Sequence, residues 1–200
     1  MCFNFEFSFG TFLLSWTISI YLLNKGLNNE QKRNIIFLMI FSSIQLADAI
    51  LWYNGMKKNN INYITTSFII PLILSLQILY NVYIRNNNKN PFITLIVISV
   101  ILSIFYKLNG YSKPSCNKLS SPVWGADPTY PPIFGESKEI PIWNIVVFCI
   151  LILYPINNGN IVSVSVITLT SVIALMIGTG VGSLWCAMAN IISLYYLYNY

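Results

Sequence analysis

Long apolar runs separated by short polar segments dominate this chain. A bilayer core is spanned by about 20 apolar residues, and the cost of unpaired backbone groups in lipid leaves helices or closed barrels as spanning structures. The alternating pattern of barrel strands is absent. We therefore predict one all-α domain, residues 1–200, which is a polytopic membrane helix bundle of about seven transmembrane helices. The runs lie at roughly 8–24, 34–54, 62–84, 91–107, 141–156, 161–178 and 183–199.

The composition agrees with a surface that faces lipid. Only 8% of the 200 residues are charged and 56% are hydrophobic, whereas a soluble domain is about 25% charged. The net charge of +5 comes from Lys and Arg between the apolar runs. Such loop charge sets orientation in a membrane and does not form a nucleic-acid patch. The expected partner is the lipid bilayer, with no nucleic acid, and the oligomeric state stays open.

The basic residues give an orientation. Segments 25–33 and 85–89 fall on one side of the predicted bundle and are basic, which favours an outside N-terminus and a cytoplasmic C-terminus. The opposite side also carries lysines, at 57–58 and between 107 and 138, so the bias is small. The start has no basic residue and carries Glu6, so no cleavable signal peptide is expected.

One long loop, residues 109–140, falls on the predicted outer side. Its Pro, Gly and Ser content blocks a helix. It also contains apolar pairs, Val123-Trp124 and Ile133-Phe134, which a solvated linker would lack. Two interpretations stay open: a lid folded over the outer mouth of the bundle, or a loose extracellular connection.

Four cysteines are present. Cys149 lies within the fifth run, where it is expected to act as a small apolar residue. Cys2, Cys116 and Cys186 fall on the predicted outer side and are disulfide candidates, although sequence does not choose between the pairings. No metal site is expected, because histidine is absent and the cysteines lack zinc-ligand spacing.

The segment IQLADAILWY contains an aspartate inside the second apolar run. An ionised Asp near the membrane centre costs about 2.5–3.5 kcal/mol, so we expect Asp48 to face the bundle interior. Gln45, Asp48 and Trp52 share one helix face. In the interior, the carboxyl group either takes up a proton or is solvated by polar neighbours.

Polar residues in other runs supply such neighbours and predict a polar seam along the bundle axis. By depth, Thr11, Ser15, Cys186 and Asn190 can reach Asp48, whereas Gln77 and Asn81 lie deeper. One interpretation is that the seam binds or transports a small solute or proton through Asp48. The other is a structural or interaction protein in which these groups only join helices, each bond worth about 0.6 kcal/mol. The binding candidates are Asp48, Gln45, Trp52, Gln77, Asn81, Asn190 and Ser15.

The sequence contains few of the residue combinations that enzymes use. Without histidine, no Ser–His or Cys–His nucleophile pair exists. Asp48 has no second acid within the runs, and a membrane enzyme would need Asp127, Glu136 or Glu139 from the loop. The last run has no lysine to form a retinal Schiff base. We therefore predict no enzyme activity, no catalytic residue and no cofactor.

Several short motifs resemble an uncharacterised family of short multi-spanning membrane proteins that begin Met-Cys-Phe-Ser. The family occurs in giant DNA viruses of protists and algae, with relatives in bacteria. Here Asn4 replaces the usual Ser, and Asp48 stands where Glu is expected, which keeps the carboxylate. The resemblance implies a host or virion membrane protein and supplies no activity. The motifs are Met1-Cys2-Phe3, FSFGTFLL, Gln45-Leu46-Ala47-Asp48 with Trp52, PLILSLQILYN, and Gly182-Ser183-Leu184-Trp185-Cys186.

Overall fold

The protein is mostly helical, which confirms the all-α class. The computed structural model describes residues 4–114, 122–128, 142–153 and 189–200. Within them, two short β-strands interrupt the order of helices. The elements are α1 (Phe5–Leu23), α2 (Asn29–Ser42), α3 (Ile44–Tyr53), α4 (Asn60–Ile64), a π-helical turn (Thr65–Ile69), α5 (Ile70–Leu79), a second π-helical segment (Tyr80–Arg85), α6 (Pro91–Lys107), β1 (Gly110–Pro114), β2 (Pro122–Pro128), α7 (Ile142–Leu153) and α8 (Ala189–Asn199).

Three helical stretches in the described residues are long and apolar enough to cross a membrane. They are Phe5–Leu23, Asn29–Tyr53 and Asn60–Arg85. Helix α6 is also apolar but has 17 residues. The run predicted at 161–178 lies outside the described residues, and those at 141–156 and 183–199 are described in part. The three stretches are compatible with a membrane location.

Asparagine begins most of the long helices. Asn4 accepts a hydrogen bond from the Phe7 amide, and Asn90 accepts one from Phe92. Asn28 and Gln31 form a reciprocal capping box at the start of α2. A short polar side chain at this position satisfies an amide that has no partner inside the helix. The Asn-rich polar segments between the apolar runs therefore fix where these helices start.

A proline accounts for the π-helical turn within the third stretch. Pro71, at the start of α5, has no backbone N–H to donate to the preceding turn. The turn just before it widens to the π form over Thr65–Ile69, as happens where regular α-helical bonding is interrupted. Thr65, Thr66 and Ser67 are all buried in this turn. The widening thus places hydroxyl groups against the element packed there, which is β1.

The helices pack around α1 and α5. Helix α1 contacts α2, α3 and α8, and α5 contacts α2, α6 and α7. The outward faces remain apolar, with Leu72 53% and Leu102 64% exposed, which suits lipid as the surrounding solvent. The larger core cluster includes Ile18, Leu22, Ile35, Leu38, Phe41, Ile78, Val97, Ile152 and Tyr196. The smaller cluster is Ile44, Ala47, Leu51, Met56, Ile70 and Leu108.

Strands β1 and β2 form an antiparallel pair, here called the hairpin. Tyr111 is opposite Asp127 and Lys113 is opposite Val123, with an irregularity in register between them. Both strands contact the π-helical turn at Thr65–Ile69, and β1 also contacts α4. The hairpin therefore covers one end of the bundle, the hairpin end. The opposite end, reached where the third stretch finishes at Arg85, is called the arginine end.

Candidate functional site

The aspartate singled out by the sequence is bonded to the hairpin. Asp48 lies in α3 and is 1% exposed. The indole Nε1–H of Trp124, in β2, donates a hydrogen bond to Asp48 Oδ1 at 2.9 Å. Hydrogen bonds to an ionised acceptor are about twice as strong as neutral ones. The long loop thus reaches into the bundle and contacts its buried carboxyl group.

The indole of Trp124 also has an apolar contact surface. Trp124 and Trp52 both pack against the smaller core cluster, beside residues such as Leu51 and Ile70. Trp52 differs in one respect: its buried Nε1 has no hydrogen-bond partner among the described residues. Of these two tryptophans, Trp124 is the one whose N–H is matched to Asp48.

Strand β1 is fixed by a buried amide. Asn62 in α4 is 0% exposed. Its Nδ2 donates to Ser112 O at 2.9 Å and to Met56 O at 3.2 Å, while its Oδ1 accepts from Ser112 N at 2.8 Å. The side chain thus pairs with β1 as a neighbouring strand would, which satisfies backbone groups that burial would otherwise leave unpaired.

Hydroxyl groups from the π-helical turn extend this attachment. Thr66 Oγ1 lies 2.7 Å from Ser112 Oγ. The hydroxyl of Ser67 donates a hydrogen bond to Gly110 O at 3.1 Å and accepts one from Gly110 N at 2.9 Å. Since Ser112 is 1% exposed, the strand edge facing the helix is dry and polar. Loss of these contacts would leave buried donors and acceptors unpaired.

A glycine allows the other strand to approach the bundle closely. Gly125 follows Trp124 and has φ +67°, a conformation that side-chain-bearing residues rarely adopt. A Cβ at this position would lie 2.8 Å from the backbone oxygen of Lys107, at the end of α6. The position next to the Asp48 contact therefore requires glycine for two independent reasons.

Charged residues border the hairpin on its exposed side. Lys58 Nζ lies 2.7 Å from Asp127 Oδ2, and Lys113 Nζ lies 3.5 Å from the same oxygen. The hydrogen bond from Lys58 lowers the pKa of Asp127, and the same bond raises the pKa of Lys58. Both groups are solvent-accessible, so this pair contributes little to stability and mainly biases the position of the hairpin.

Hydrogen bonds between helices join several of the polar residues from which the seam was predicted. Thr11 Oγ1 in α1 donates to Gln45 Oε1 in α3 at 3.2 Å. One turn further along α1, Ser15 Oγ donates to Asn190 Oδ1 in α8 at 2.7 Å. Ser193 Oγ lies 3.2 Å from Ser15 Oγ. Helices α1, α3 and α8 therefore share a line of amides and hydroxyls on the face of α3 that carries Asp48.

Two further candidates, Gln77 and Asn81, were predicted to lie deeper than Asp48, and both are buried. Asn81 is 0% exposed and its Nδ2 donates to the backbone oxygen of Leu151, in α7, at 2.7 Å. Its Oδ1 accepts from Arg85 at 3.3 Å, so it belongs to the arginine end. Gln77 is 1% exposed, and its Nε2 has no partner among the described residues.

Several predictions fall where the structure is not described. The disulfide candidates Cys2, Cys116 and Cys186 lie outside the described residues, as do Glu136 and Glu139. The buried amide of Asn62 was missed by the sequence analysis, which placed this residue at the start of the run 62–84 and gave it no partner in the long loop. The apolar pair at Val123-Trp124 was the available signal that the loop contacts the bundle.

Together these observations define a class: a helical bundle compatible with a membrane, with a hairpin seated on a buried carboxyl group. Comparison with protein families, curated proteins and solved structures found no match.

Proposed function

We propose that this multi-pass membrane protein binds and transports a proton or small solute along the polar seam. Asp48 is the carboxylate that receives it, and the hairpin is a lid over the entry. One observation carries the proposal: Trp124, in strand β2 of the long loop, donates a hydrogen bond to the buried carboxyl group of Asp48 at 2.9 Å. An intramembrane carboxyl group of this kind warrants a functional hypothesis by default.

The chemistry links occupancy of the seam to the lid. A proton or cation that arrives at Asp48 competes with the Trp124 N–H for the negative charge of the carboxylate. Once the charge is neutralised, the bond from Trp124 loses its charge assistance and weakens. Arrival at the site therefore favours release of the hairpin, and departure of the proton towards Gln45 and Thr11 favours docking.

The proposal includes seven spans and an orientation. The three long apolar stretches would be joined by α6 and by the runs at 141–156, 161–178 and 183–199. The basic segments at the arginine end support a cytoplasmic position for that end, with the N-terminus and hairpin outside. The resemblance noted above supports a host or virion membrane. Labelling of single cysteines introduced at Lys32 and Lys58 in intact cells tests the orientation.

Proton flux into vesicles tests the role of Asp48. Purified protein is reconstituted into liposomes that contain a pH-sensitive dye, and a pH gradient is imposed with the membrane potential clamped. We expect the gradient to decay faster than in protein-free vesicles, and Asp48→Asn to return the rate to that baseline. The substitution keeps the shape of the side chain and removes its ability to ionise.

A matched control separates this role from general effects of losing a carboxylate. Asp127→Asn removes the partly exposed carboxylate of the hairpin and is expected to leave the flux near the wild-type rate. The proposal fails if the correctly inserted Asp48→Asn protein conducts protons as well as the wild type does.

A structural protein is the second candidate, and the helix-to-helix bonds favour it. Ser15, Asn190, Thr11 and Gln45 are paired with one another, as expected if they only hold helices together. This alternative predicts that Asp48→Asn alters thermal stability alone and that wild-type vesicles hold the gradient as well as protein-free vesicles do.

A further inference from the structure

A cleft at the arginine end is lined by charged and amide side chains that the seam does not use. Its volume is about 390 Å³. It lies between the start of α2 and the end of the third helical stretch, the ends that the charge pattern assigns to the cytoplasmic membrane surface. The lining residues are Asn29, Glu30, Arg33, Arg85 and Asn86.

The two arginines are held in place by the fold. Arg33 donates from its guanidinium to the backbone oxygen of Arg85 at 3.4 Å. Arg85 donates to Asn81 at 3.3 Å, and its guanidinium lies 5.8 Å from the ring centre of Phe37. A guanidinium fixed by packing and hydrogen bonds loses less freedom when it binds an anion. Arg33 is exposed like the neighbouring lysines, whereas Arg85 is partly buried, so Arg85 is the more firmly positioned of the two guanidinium groups.

The start of α2 adds to the attraction for an anion. The cleft includes Asn29 and Glu30, the first two residues of this 14-residue helix. The positive end of the helix dipole lies at this first turn, where the Gln31 N–H is already bonded to the Asn28 cap. The dipole and the two guanidinium groups together match the negative charge of a phosphate group.

The charges in the cleft indicate which kind of phosphate fits. Two arginines and Glu30 give a net charge of +1, which balances the single negative charge of a phosphodiester. A free phosphate or phosphomonoester carries about −1.5 to −2 at neutral pH, and Glu30 would repel the additional charge. The cleft therefore suits a phosphodiester better.

Apolar surface beside the cleft points to a lipid as the source of that phosphodiester. Ile36, one turn beyond Arg33 on the same helix face, is 38% exposed, and Ile84, next to Arg85, is 56% exposed. Basic pockets between helices at the cytoplasmic surface bind anionic headgroups, while acyl chains lie along neighbouring apolar surface. We propose that the cleft binds the phosphodiester headgroup of an anionic phospholipid from the inner leaflet.

Native mass spectrometry of the full chain in detergent, titrated with dioleoyl phosphatidylglycerol, tests this site. We expect one lipid to bind in preference to dioleoyl phosphatidylcholine, whose headgroup carries no net charge. Arg33→Gln and Arg85→Gln should each weaken the binding of phosphatidylglycerol by about tenfold, because each removes a charge-assisted contact. Arg33→Lys, which keeps the charge but loses the planar fork, should give an intermediate loss.

Matched controls remove the same charge beside the cleft. Lys32→Gln and Lys89→Gln alter exposed residues that do not line it, and both should bind the lipid as the wild type does. If they weaken binding as much as the arginine variants do, general surface charge attracts the lipid and the proposal is overturned. Equal binding of the two lipids would overturn it as well.

Two further outcomes are decisive. If millimolar inorganic phosphate displaces the lipid, the ligand is free phosphate and the lipid assignment is wrong. Should Arg85→Gln fail to fold through loss of its contact with Asn81, the Arg33 variants still decide the question. Lipid binding is measured separately from proton flux, so failure of this site and failure of the seam are distinguishable.

Discussion

Trp124 and Asp48 are 76 residues apart in the sequence and 2.9 Å apart in the structure, joined by a hydrogen bond from the indole Nε1 to the carboxyl Oδ1. The bond connects a strand in the long loop to the interior of the helix bundle. A buried acid normally has its charge matched by hydrogen bonds. Here part of that match is supplied by the hairpin, so the position of the hairpin and the charge of the acid depend on each other.

Removing the indole N–H should loosen the hairpin. We expect Trp124→Phe to weaken docking by about 1.5–3 kcal/mol, the range for a hydrogen bond to a charged group. Hydrogen–deuterium exchange of the β1 and β2 amides measures the change. Trp52→Phe is the matched control, since the Trp52 N–H has no partner among the described residues. Equal exchange in the two variants would contradict the assigned role of Trp124.

Asn62 should be the strongest attachment point of β1. Asn62→Leu leaves the amide and carbonyl of Ser112 without their partner, and each unpaired buried group costs about 1–3 kcal/mol. We expect faster exchange in β1 and a lower thermal unfolding temperature in detergent. Ile61→Ala changes a neighbour that is 52% exposed and should leave β1 protected. Protection retained in Asn62→Leu would show that the amide is dispensable.

Two glycine substitutions should have opposite effects. Gly125→Ala introduces a Cβ 2.8 Å from the Lys107 oxygen at a positive φ, so we expect the hairpin to be displaced and the protein destabilised. In Gly10→Ala the new Cβ meets nothing within 4 Å, and helix α1 should gain about 0.5–1 kcal/mol. Thermal unfolding of both variants checks the signs. Destabilisation by both would mean that the contact with Lys107 is not the cause.

The ion pair at the edge of the hairpin predicts a pH dependence. The pKa of Asp127 is lowered from 3.8, so its contribution to docking is complete above that value and is lost as pH falls through the lower folded-state pKa. The pKa of Lys58 is raised from 10.5, so its contribution is complete below that value and is lost as pH rises through the higher one. The contribution of this ion pair to docking should therefore be constant between these limits.

The ¹⁹F resonance of 5-fluorotryptophan at position 124 reports this dependence. The resonance is assigned by its loss in Trp124→Phe. Asp127→Asn removes the carboxylate that both Lys58 and Lys113 contact. The shift of the ¹⁹F resonance in acid should therefore be slightly larger in the wild type than in this variant. Identical curves below pH 3.8 would show that the pair does not influence the hairpin.

The sequence predicts the described helices well because the length of an apolar run is a simple rule for where a long apolar helix lies. The runs at 34–54 and 62–84 correspond to the helical stretches Asn29–Tyr53 and Asn60–Arg85. The structure extends both at their polar ends, since capping by Asn28 and Asn59 starts the helices before the apolar residues begin. Burial of Asp48 follows from the same rule.

The hairpin was beyond sequence reasoning, for a physical reason. Asn62 and Ser67 hold β1 through its backbone groups, and Thr66 bonds to the Ser112 hydroxyl. Backbone groups are the same in every residue, so a sequence pattern does not reveal such contacts. The loop's proline and glycine content only excluded a helix. Asn81 shows a related limit: the helical pattern placed it deeper than Asp48 but did not identify its partner, the backbone oxygen of Leu151.

The π-helical turn at Thr65–Ile69 determines how far α4 is rotated about the helix axis relative to α5. Bonds in such a turn skip one residue more than α-helical bonds do, and each α-helical residue turns the chain by about 100°. Deleting a single residue from the turn would rotate Asn62 relative to the outward-facing Leu72 and Leu76. The number of residues in this turn therefore sets the direction in which the hairpin-binding side chains of α4 point relative to the apolar outer face of α5.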